Sequence, residues 1–415
     1  MHFYLVLISN ESKKEYNHIK YDTNNLSNRI ISKKIQGYVM KRWIWEQDGY
    51  PHFTYDLQSL EHLISNISKE QGYLKAMTDI MSHDNILNTK LEALESEAIS
   101  TSAIEGEILN RDSVKASVKK KLGFKDINYN KIDESTEYLI EVLIDANSNY
   151  DEDLTLERLF GWHHALFEKG YSGFTKINVA SFRGDETMEV VSGQVGDERV
   201  YYQAPPRDIL EDEIDSFLKW FNSTPATLIK VAKAHLWFVI IHPFDDGNGR
   251  IARAITDLVL SNIEQSKISR LYSMSSAINN DRNGYYKALE RTTGYIKKAD
   301  KYLDITLWCE WFLSTLHKAL LDTKNKLHYI LDKTKFWDKY KDSDLNARQT
   351  KVINKILDMG VDNFKGDLSK KKYIKIADTT SSTASRDIAE LLKLGCIKQV
   401  DGTSGRNVRY KIDIP

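Results

Sequence analysis

The sequence predicts a mainly α protein made of several packed units, with one short β region. Three observations lead there. Only six prolines and twenty glycines interrupt 415 residues, so long helices can run with few breaks. Apolar residues recur at helical spacing, as Leu60, Leu63, Ile64 and Ile67 do at i, i+3, i+4 and i+7. Strand-like alternation is concentrated in one stretch, "MEVVSGQVGDERVYYQAPP" at 188–206. A chain of this length also exceeds one ordinary core, which points to two to four units.

Taken in order, "MHFYLVLIS" is too short for a membrane span and has no basic segment before it, so it reads as a buried or partner-binding strand. "YDTNNLSNR" reads as a loop, and 1–42 is an N-terminal extension of unknown role. "KRWIWEQDGYPHFTYD" (41–56) is aromatic and turn-rich, an irregular segment or hairpin. From Leu57 to Lys121 the spacing is helical, and "NTKLEALESEAISTSAIEGE" carries it to a stop at Gly106, giving a helical unit over 43–130. "TLERLFGWHHALFEKG" is a helix capped by Thr155 and ended at Gly170. Residues 188–206 then form strand, turn and strand. Helices follow over 208–221, 226–241, 250–263, 283–297 and 305–335, completing a unit at 131–335. After "FWDKYKDSDLNARQ" the pattern is helix, helix, helix and hairpin, the order of a winged helix, over 341–415.

The net charge of −1 and a pI near 6.8 give no global bias toward nucleic acid or anionic membrane, so any basic surface is local. Cys309 and Cys396 form no metal-ligand spacing and no disulfide framework, which suits a reducing cytoplasm. No stretch reaches a membrane-spanning length, and no membrane partner is expected.

The chemistry concentrates in "HPFDDGNGRIAR", 242–253. Gly247-Asn248-Gly249 can take positive φ and aim several N–H groups into one concavity, at the positive end of a helix starting near Gly249. Arg250 and Arg253, at i and i+3, can reach the same anion. Asp246 can hold a hard cation between phosphate oxygens, as Mg2+ requires. His242, on a turn fixed by Pro243, can accept a proton from an attacking hydroxyl. Any one of these is an ordinary structural feature; together they describe phosphoryl or nucleotidyl transfer.

The stretch resembles the signature of the Fic family, HxFx(D/E)GNGRxxR, at every fixed position. The resemblance implies a Fic-type helical core and transfer of AMP from ATP to a Ser, Thr or Tyr hydroxyl of a protein, with Mg2+. It makes His242 the base and Asp246 the metal ligand. Gly247, Asn248, Gly249 and Arg250 would form the anion hole, Arg253 would hold the γ-phosphate, and Phe244 would anchor the loop. Family members that phosphorylate carry a lysine where this chain has Gly249. "RWIWEQDGYPHFTYD" and its following helices resemble the domain that often precedes a Fic core. "VVSGQVGDERVYYQAPP" resembles the flap hairpin, where Val200, Tyr201 and Tyr202 would dock the target by strand addition. "TSAIEGE" resembles the inhibitory motif (S/T)xxxE(G/N) through Thr101, Glu105 and Gly106; Glu105 would pair with Arg253. Glu107 falls outside that pattern, and its loss is expected to change little. The alternative for "TSAIEGE" is a plain helix end. Asn279, Tyr285 and Tyr286 are candidates for the adenine pocket, with packing the competing role. His163, His164 and His235 read as core or helix-face residues.

The C-terminal segment is locally basic, with 15 Lys and Arg against 10 Asp and Glu over 341–415. "TSSTASRDIAELLKLG" would be its recognition helix, with Thr380 and Ser381 as caps and Ile388, Leu391 and Leu392 facing a core. Ser382, Ser385 and Arg386 could meet DNA bases, and Lys370 to Lys372, Arg406 and Arg409 phosphates; protein docking or homodimer contacts are the other use. The expected function is a protein adenylyltransferase, acting on another protein or on itself and autoinhibited through Glu105; the alternatives are an enzyme removing AMP and a DNA-binding regulator with a nucleotide-sensing core.

Overall fold

An N-terminal strand, β1 (Phe3–Ile8), precedes a single 3-10 turn at Ile44–Glu46 within the aromatic segment. The helical run after it is broken into α1 (Leu57–Ile80), α2 (His83–Ile104) and α3 (Arg111–Lys121). Side-chain caps account for the breaks. Ser82 Oγ accepts the Asn85 N–H, and Asn110 Oδ1 accepts those of Asp112 and Ser113. After α4 (Glu134–Ser148), Thr155 caps α5 (Leu156–Leu166) as expected, accepting the Arg158 N–H at 3.1 Å. The helix ends earlier than the sequence suggests, at Leu166, and Gly170 sits with φ +76° in the turn beyond.

That turn leads into a two-residue hairpin absent from the sequence reading, β2 (Tyr171–Ser172) and β3 (Thr175–Lys176). The hairpin that was legible follows as β4 (Thr187–Gln194) and β5 (Asp197–Gln203). β1 pairs antiparallel with β4, Leu5 opposite Val190, so the sheet order is β1-β4-β5. Next come α6 (Leu210–Ser223), α7 (Leu228–Ile241), α8 (Asn248–Glu264), α9 (Met274–Asn280), α10 (Arg282–Thr293) and α11 (Thr306–Lys339). α9 went unread because seven residues are too few to show a period; its start is fixed by Ser273, which accepts the Ser276 N–H. Last are α12 (Ala347–Met359), α13 (Lys370–Ala377), α14 (Ser381–Lys393), β6 (Ile397–Gln399) and β7 (Tyr410–Ile412).

The structure, a computed structural model, describes residues 3–8, 43–125, 127, 132–194, 197–265, 270–294 and 303–414. The loop "YDTNNLSNR", the tip of the β4–β5 turn and the predicted helix beyond 294 lie outside them. Fourteen α-helices against seven short strands make the described chain mainly α. None of the described helices is long and apolar enough to cross a membrane.

The chain divides into two units, Met1–Gln71 with Leu87–Ala319, and Gly72–Ile86 with Leu320–Pro415. In the first, α7 and α8 pack against each other and α8 also against α4. α7 is buried on nearly every face, which its almost unbroken apolar run requires, and α8 sinks Ile251, Ile255 and Leu258 into the same core. In the second unit, Val352, Ile353, Ile356, Tyr373, Ile388, Leu391 and Ile412 share a core across α12–α14 and the last hairpin. Leu392, expected inside, is instead 37% exposed on the outer face of α14.

Candidate active site

The α7–α8 connection is where the opposing demands on the backbone meet. His242 ends α7 in the left-handed region, φ 51° and ψ 58°, a conformation that costs a residue with a Cβ roughly 1–2 kcal/mol. Such strain persists only where the surroundings enforce it. Here they do. Phe244 is fully buried and stacks on His163, ring centroids 4.2 Å apart. Asn248 turns its amide back on the loop, accepting the Phe244 N–H at 3.0 Å and donating to the Phe244 carbonyl at 2.8 Å. Asn248 thus locks the loop with its side chain.

Within Gly247-Asn248-Gly249, positive φ is confined to Gly247 (φ +82°), which caps α8; Asn248 and Gly249 are already helical, so the helix begins one residue earlier than expected. A Cβ on Gly247 would come within 2.7 Å of the Phe167 ring. Gly247 brings no capping side chain, and the first N–H groups of α8 have no intrahelical acceptor. An anion cradle with that geometry is the ordinary consequence.

The His242 ring has one settled face. Its Nδ1 lies 3.2 Å from the Val239 carbonyl, which can only accept, so Nδ1 carries the proton and Nε2 holds a lone pair. Nε2 is buried without a hydrogen-bond partner. Burial pushes the imidazole down to about 4, with Arg183 adding to the effect and the Val239 carbonyl, Asp246 and Glu105 opposing it. The ring is therefore neutral near pH 7.

Both arginines of α8 are engaged by carboxylates from the end of α2. Arg253, 1% exposed, donates through Nε to Thr101 Oγ1 (2.7 Å) and through Nη2 to the Thr101 carbonyl (2.9 Å) and Glu105 Oε1 (2.7 Å). "TSAIEGE" is thus more than a helix end. Arg250, 6% exposed, donates to Glu107 Oε2 at 2.8 Å. This contact contradicts the expectation that Glu107 is a bystander; the motif spacing singled out Glu105 and hid its neighbour two residues on. Arg250 Nε and Arg253 Nη1 are, with His242 Nε2, buried polar atoms without a partner. A Cβ on Gly249 would run into Glu105 Oε1.

α2 is held over α8 by its own last carbonyls. Those of Thr101, Ala103 and Ile104 accept from Arg253, Arg282 and Tyr286, and that of Ser102 accepts from the Glu105 and Glu107 N–H groups. Further back, the buried carboxylate of Glu97 binds Ser273 Oγ and the Ser275 N–H and hydroxyl.

Beside these groups lies a cavity of about 440 Å³. Its floor is His242, Asp246, Asn248, Gly249 and Arg250; Glu105 and Glu107 close one side, and Tyr285, Tyr286, Leu289, Glu290 and Thr293 of α10 another. Asn279 does not line it, a correction set by α9 ending at Asn280 before the wall begins. Tyr201 and Tyr202 line it with buried side chains, on β5, an outer strand of the sheet. The Tyr202 hydroxyl donates to the Ile240 carbonyl at 2.6 Å, and its ring packs edge-on to Trp43. Val200 is half-buried between strand and solvent.

Asp246 is the residue that could hold a divalent cation. Its Oδ1 accepts the Gly247 N–H at 2.6 Å and its Oδ2 the Ser172 hydroxyl of the short hairpin. A cation of the Mg2+ kind needs one or two carboxylates plus phosphate oxygens and water, and a lone Asp beside an anion cradle fits that demand.

Sequence reasoning missed the support beneath the loop. Arg183 Nε donates to the His242 carbonyl (2.9 Å), its N–H donates to the Pro243 carbonyl (3.0 Å), and Asp245 Oδ2 accepts the Asn178 N–H (2.7 Å). His163 and His235 are fully buried, as expected of core histidines. His163 accepts the Ala180 N–H at Nδ1 and faces the Asp246 carbonyl with Nε2, while His235 bridges Thr256 and Tyr285. "SFRG" at 181–184 is the signal that could have found Arg183: an arginine between small and apolar residues just before a strand.

Fold and site together define a helical protein with a helix N-terminus open at a cavity and a neutral imidazole beside it. Residues 153–260 match the Fic/DOC family, and residues 43–124 match a domain of unknown function, DUF4172. The chain therefore carries a Fic/DOC domain behind an N-terminal DUF4172 domain. It is similar to the protein adenylyltransferase Fic of Nematostella vectensis, 26% identical over 173 residues, which are 39% of this chain and 36% of that protein. Among solved structures it is similar to a Fic family protein from Desulfovibrio desulfuricans (20% identity, 85% of this chain and 96% of the other, TM-score 0.45). It is also similar to Fic-1 from C. elegans (15% identity, 65% and 74%, TM-score 0.44).

Proposed function

We propose that this chain is a protein adenylyltransferase that moves AMP from ATP to a Ser, Thr or Tyr hydroxyl of a target protein, and that Glu105 restrains it. The observation that carries the reading is a set of buried, unpartnered atoms: His242 Nε2 and Arg250 Nε, whose residues line one cavity, and Arg253 Nη1 next to Gly249 of its wall. Buried polar atoms are rarely left unmatched, and a base lone pair beside two guanidinium groups suits a polyphosphate and an attacking hydroxyl.

His242 Nε2 takes the hydroxyl proton as the oxygen bonds to the α-phosphorus, and the bond from that phosphorus to pyrophosphate breaks. The α8 N-terminus and Arg250 receive the charge on the phosphates, and Arg253 receives the terminal phosphate once Glu105 leaves it. Mg2+ on Asp246 would offset charge between phosphate groups. The C-terminal unit we read as a winged helix for DNA or protein. Ser382, Ser385 and Arg386 are exposed on α14, whereas Lys372 is tied to the Lys365 and Asp367 carbonyls and is withdrawn from the phosphate-binding set.

ATP labelled in either the α- or the γ-position tests the transfer. Label from the α-position alone on protein supports it; label from the γ-position, or none from either with the Glu105→Gly variant, contradicts it.

A further inference from the structure

We infer that Arg183 is a positioning residue for His242: its guanidinium holds the histidine backbone in the left-handed conformation that aims Nε2 into the cavity. Four observations converge. Arg183 is 1% exposed, and its side chain donates to main-chain carbonyls, with no carboxylate within ion-pairing distance among the described residues. Burial pushes it down to about 10, so the site bears the cost of desolvating a guanidinium without a salt bridge in return. An apolar residue of similar volume would fill the space more cheaply, so the charge has another use. What it grips is specific: Nε donates to the His242 carbonyl at 2.9 Å and Nη2 to the Pro205 carbonyl, while its own N–H binds the Pro243 carbonyl.

The planar fork thus ties the strained residue to the exit of the β4–β5 hairpin, whose Tyr201 and Tyr202 wall the same cavity. The neighbouring backbone repeats the grip. Asn178 and Gly184 donate to the two oxygens of Asp245, and Ala180 to His163. The charged groups facing the imidazole are Arg183 from this segment, Asp246 from its own loop and Glu105 from the end of α2. Arg183 opposes protonation of the ring, and the two carboxylates favour it. Loss of the guanidinium removes both the mechanical hold and the cation, and each change moves the imidazole upward.

The inference rests on the transfer reading for its kinetic arm only. Arg183→Met and Arg183→Lys are compared in the Glu105→Gly background. Titration of the His242 ring is followed by NMR, ATP binding by calorimetry, and AMP incorporation by intact mass. With Arg183→Met we expect the His242 pKa to rise. We also expect incorporation to fall about 100-fold, the order of loss for a misplaced reacting group, with ATP affinity within about twofold. Arg183→Lys, which keeps the charge and loses the fork, should hold the pKa low while incorporation still falls. An Arg183→Met protein that keeps both titration and incorporation of its parent overturns the inference, as does Arg183→Lys at parental rate. Should the parent itself transfer no AMP, the transfer reading fails, and the His242 titration alone decides the role of Arg183. If Arg183→Met does not fold, the Lys variant decides.

Discussion

The α7–α8 loop and the C-terminal unit handle buried polar groups in opposite ways. Around α8, polar side chains are buried and left partly unmatched: the neutral His242 and the charged Arg250 and Arg253 each keep a buried polar atom without a partner. In the C-terminal unit the one buried carboxylate, Asp387, is closed on itself. It accepts from Arg348 at 2.9 and 3.0 Å, from the Tyr373 hydroxyl at 3.0 Å and from Asn346 at 3.2 Å. Among the described residues no unmatched buried side-chain atom falls in 320–414. A satisfied network fixes a fold, whereas an unsatisfied one beside a cavity is poised for something else to complete it.

Removing the base gives the largest effect. His242→Ala should lower AMP incorporation by roughly 10²–10⁴-fold while ATP binding, measured by calorimetry, is nearly kept. Equal incorporation by both proteins would take His242 out of the mechanism. Next is Glu105→Gly, which frees the fully buried Arg253; the ATP affinity should rise roughly 10- to 100-fold, the worth of a charge-assisted bond of about 1.5–3 kcal/mol. Glu107→Gly acts on Arg250 through a carboxylate that is 45% exposed, so the gain should be only about two- to fivefold and should shrink in high salt. Equal effects of the two would erase the difference between a buried and a solvated clamp. On the other side of the comparison, Tyr373→Phe should cost the C-terminal unit about 1–2 kcal/mol in urea denaturation and leave incorporation unchanged.

Acid should probe the first unit through its histidines. Burial lowers His163 and His242 to about 4 and His235 to about 3, so the folded chain refuses protons that the unfolded chain binds. Stability should therefore be full above pH 6.5 and decline as pH falls from there toward 4. Denaturation midpoints at pH 7.5 and 5.0 measure it; a midpoint unchanged between them would mean these rings are not held neutral.

What the sequence revealed follows a physical line. Long amphipathic or apolar helices were legible because periodicity over many residues averages out local noise, as for Leu228–Ile241. The α7–α8 loop stood out because glycine, asparagine and two arginines stand within seven residues of one another. Contacts between remote segments were not legible, apart from Glu105 with Arg253, which the family resemblance implied. Nothing in the spacing of Glu107 marks it as a partner of Arg250, 143 positions away, and nothing near Arg183 names the His242 carbonyl. Asn279 failed for the reverse reason: proximity in sequence to Tyr285 and Tyr286 does not put it on the cavity wall once α9 ends and α10 begins between them.

The central claim is that the cavity is a nucleotide site whose arginine clamp is occupied from within. Intact-mass spectrometry after incubation with ATP and Mg2+ tests it most directly, applied to the wild type, Glu105→Gly, and Glu105→Gly with Arg253→Ala. The account predicts little adduct on the wild type, a clear AMP adduct on the single variant, and a return to the low level when Arg253 is also removed. An adduct equally strong on all three proteins, or absent from the single variant, would contradict it.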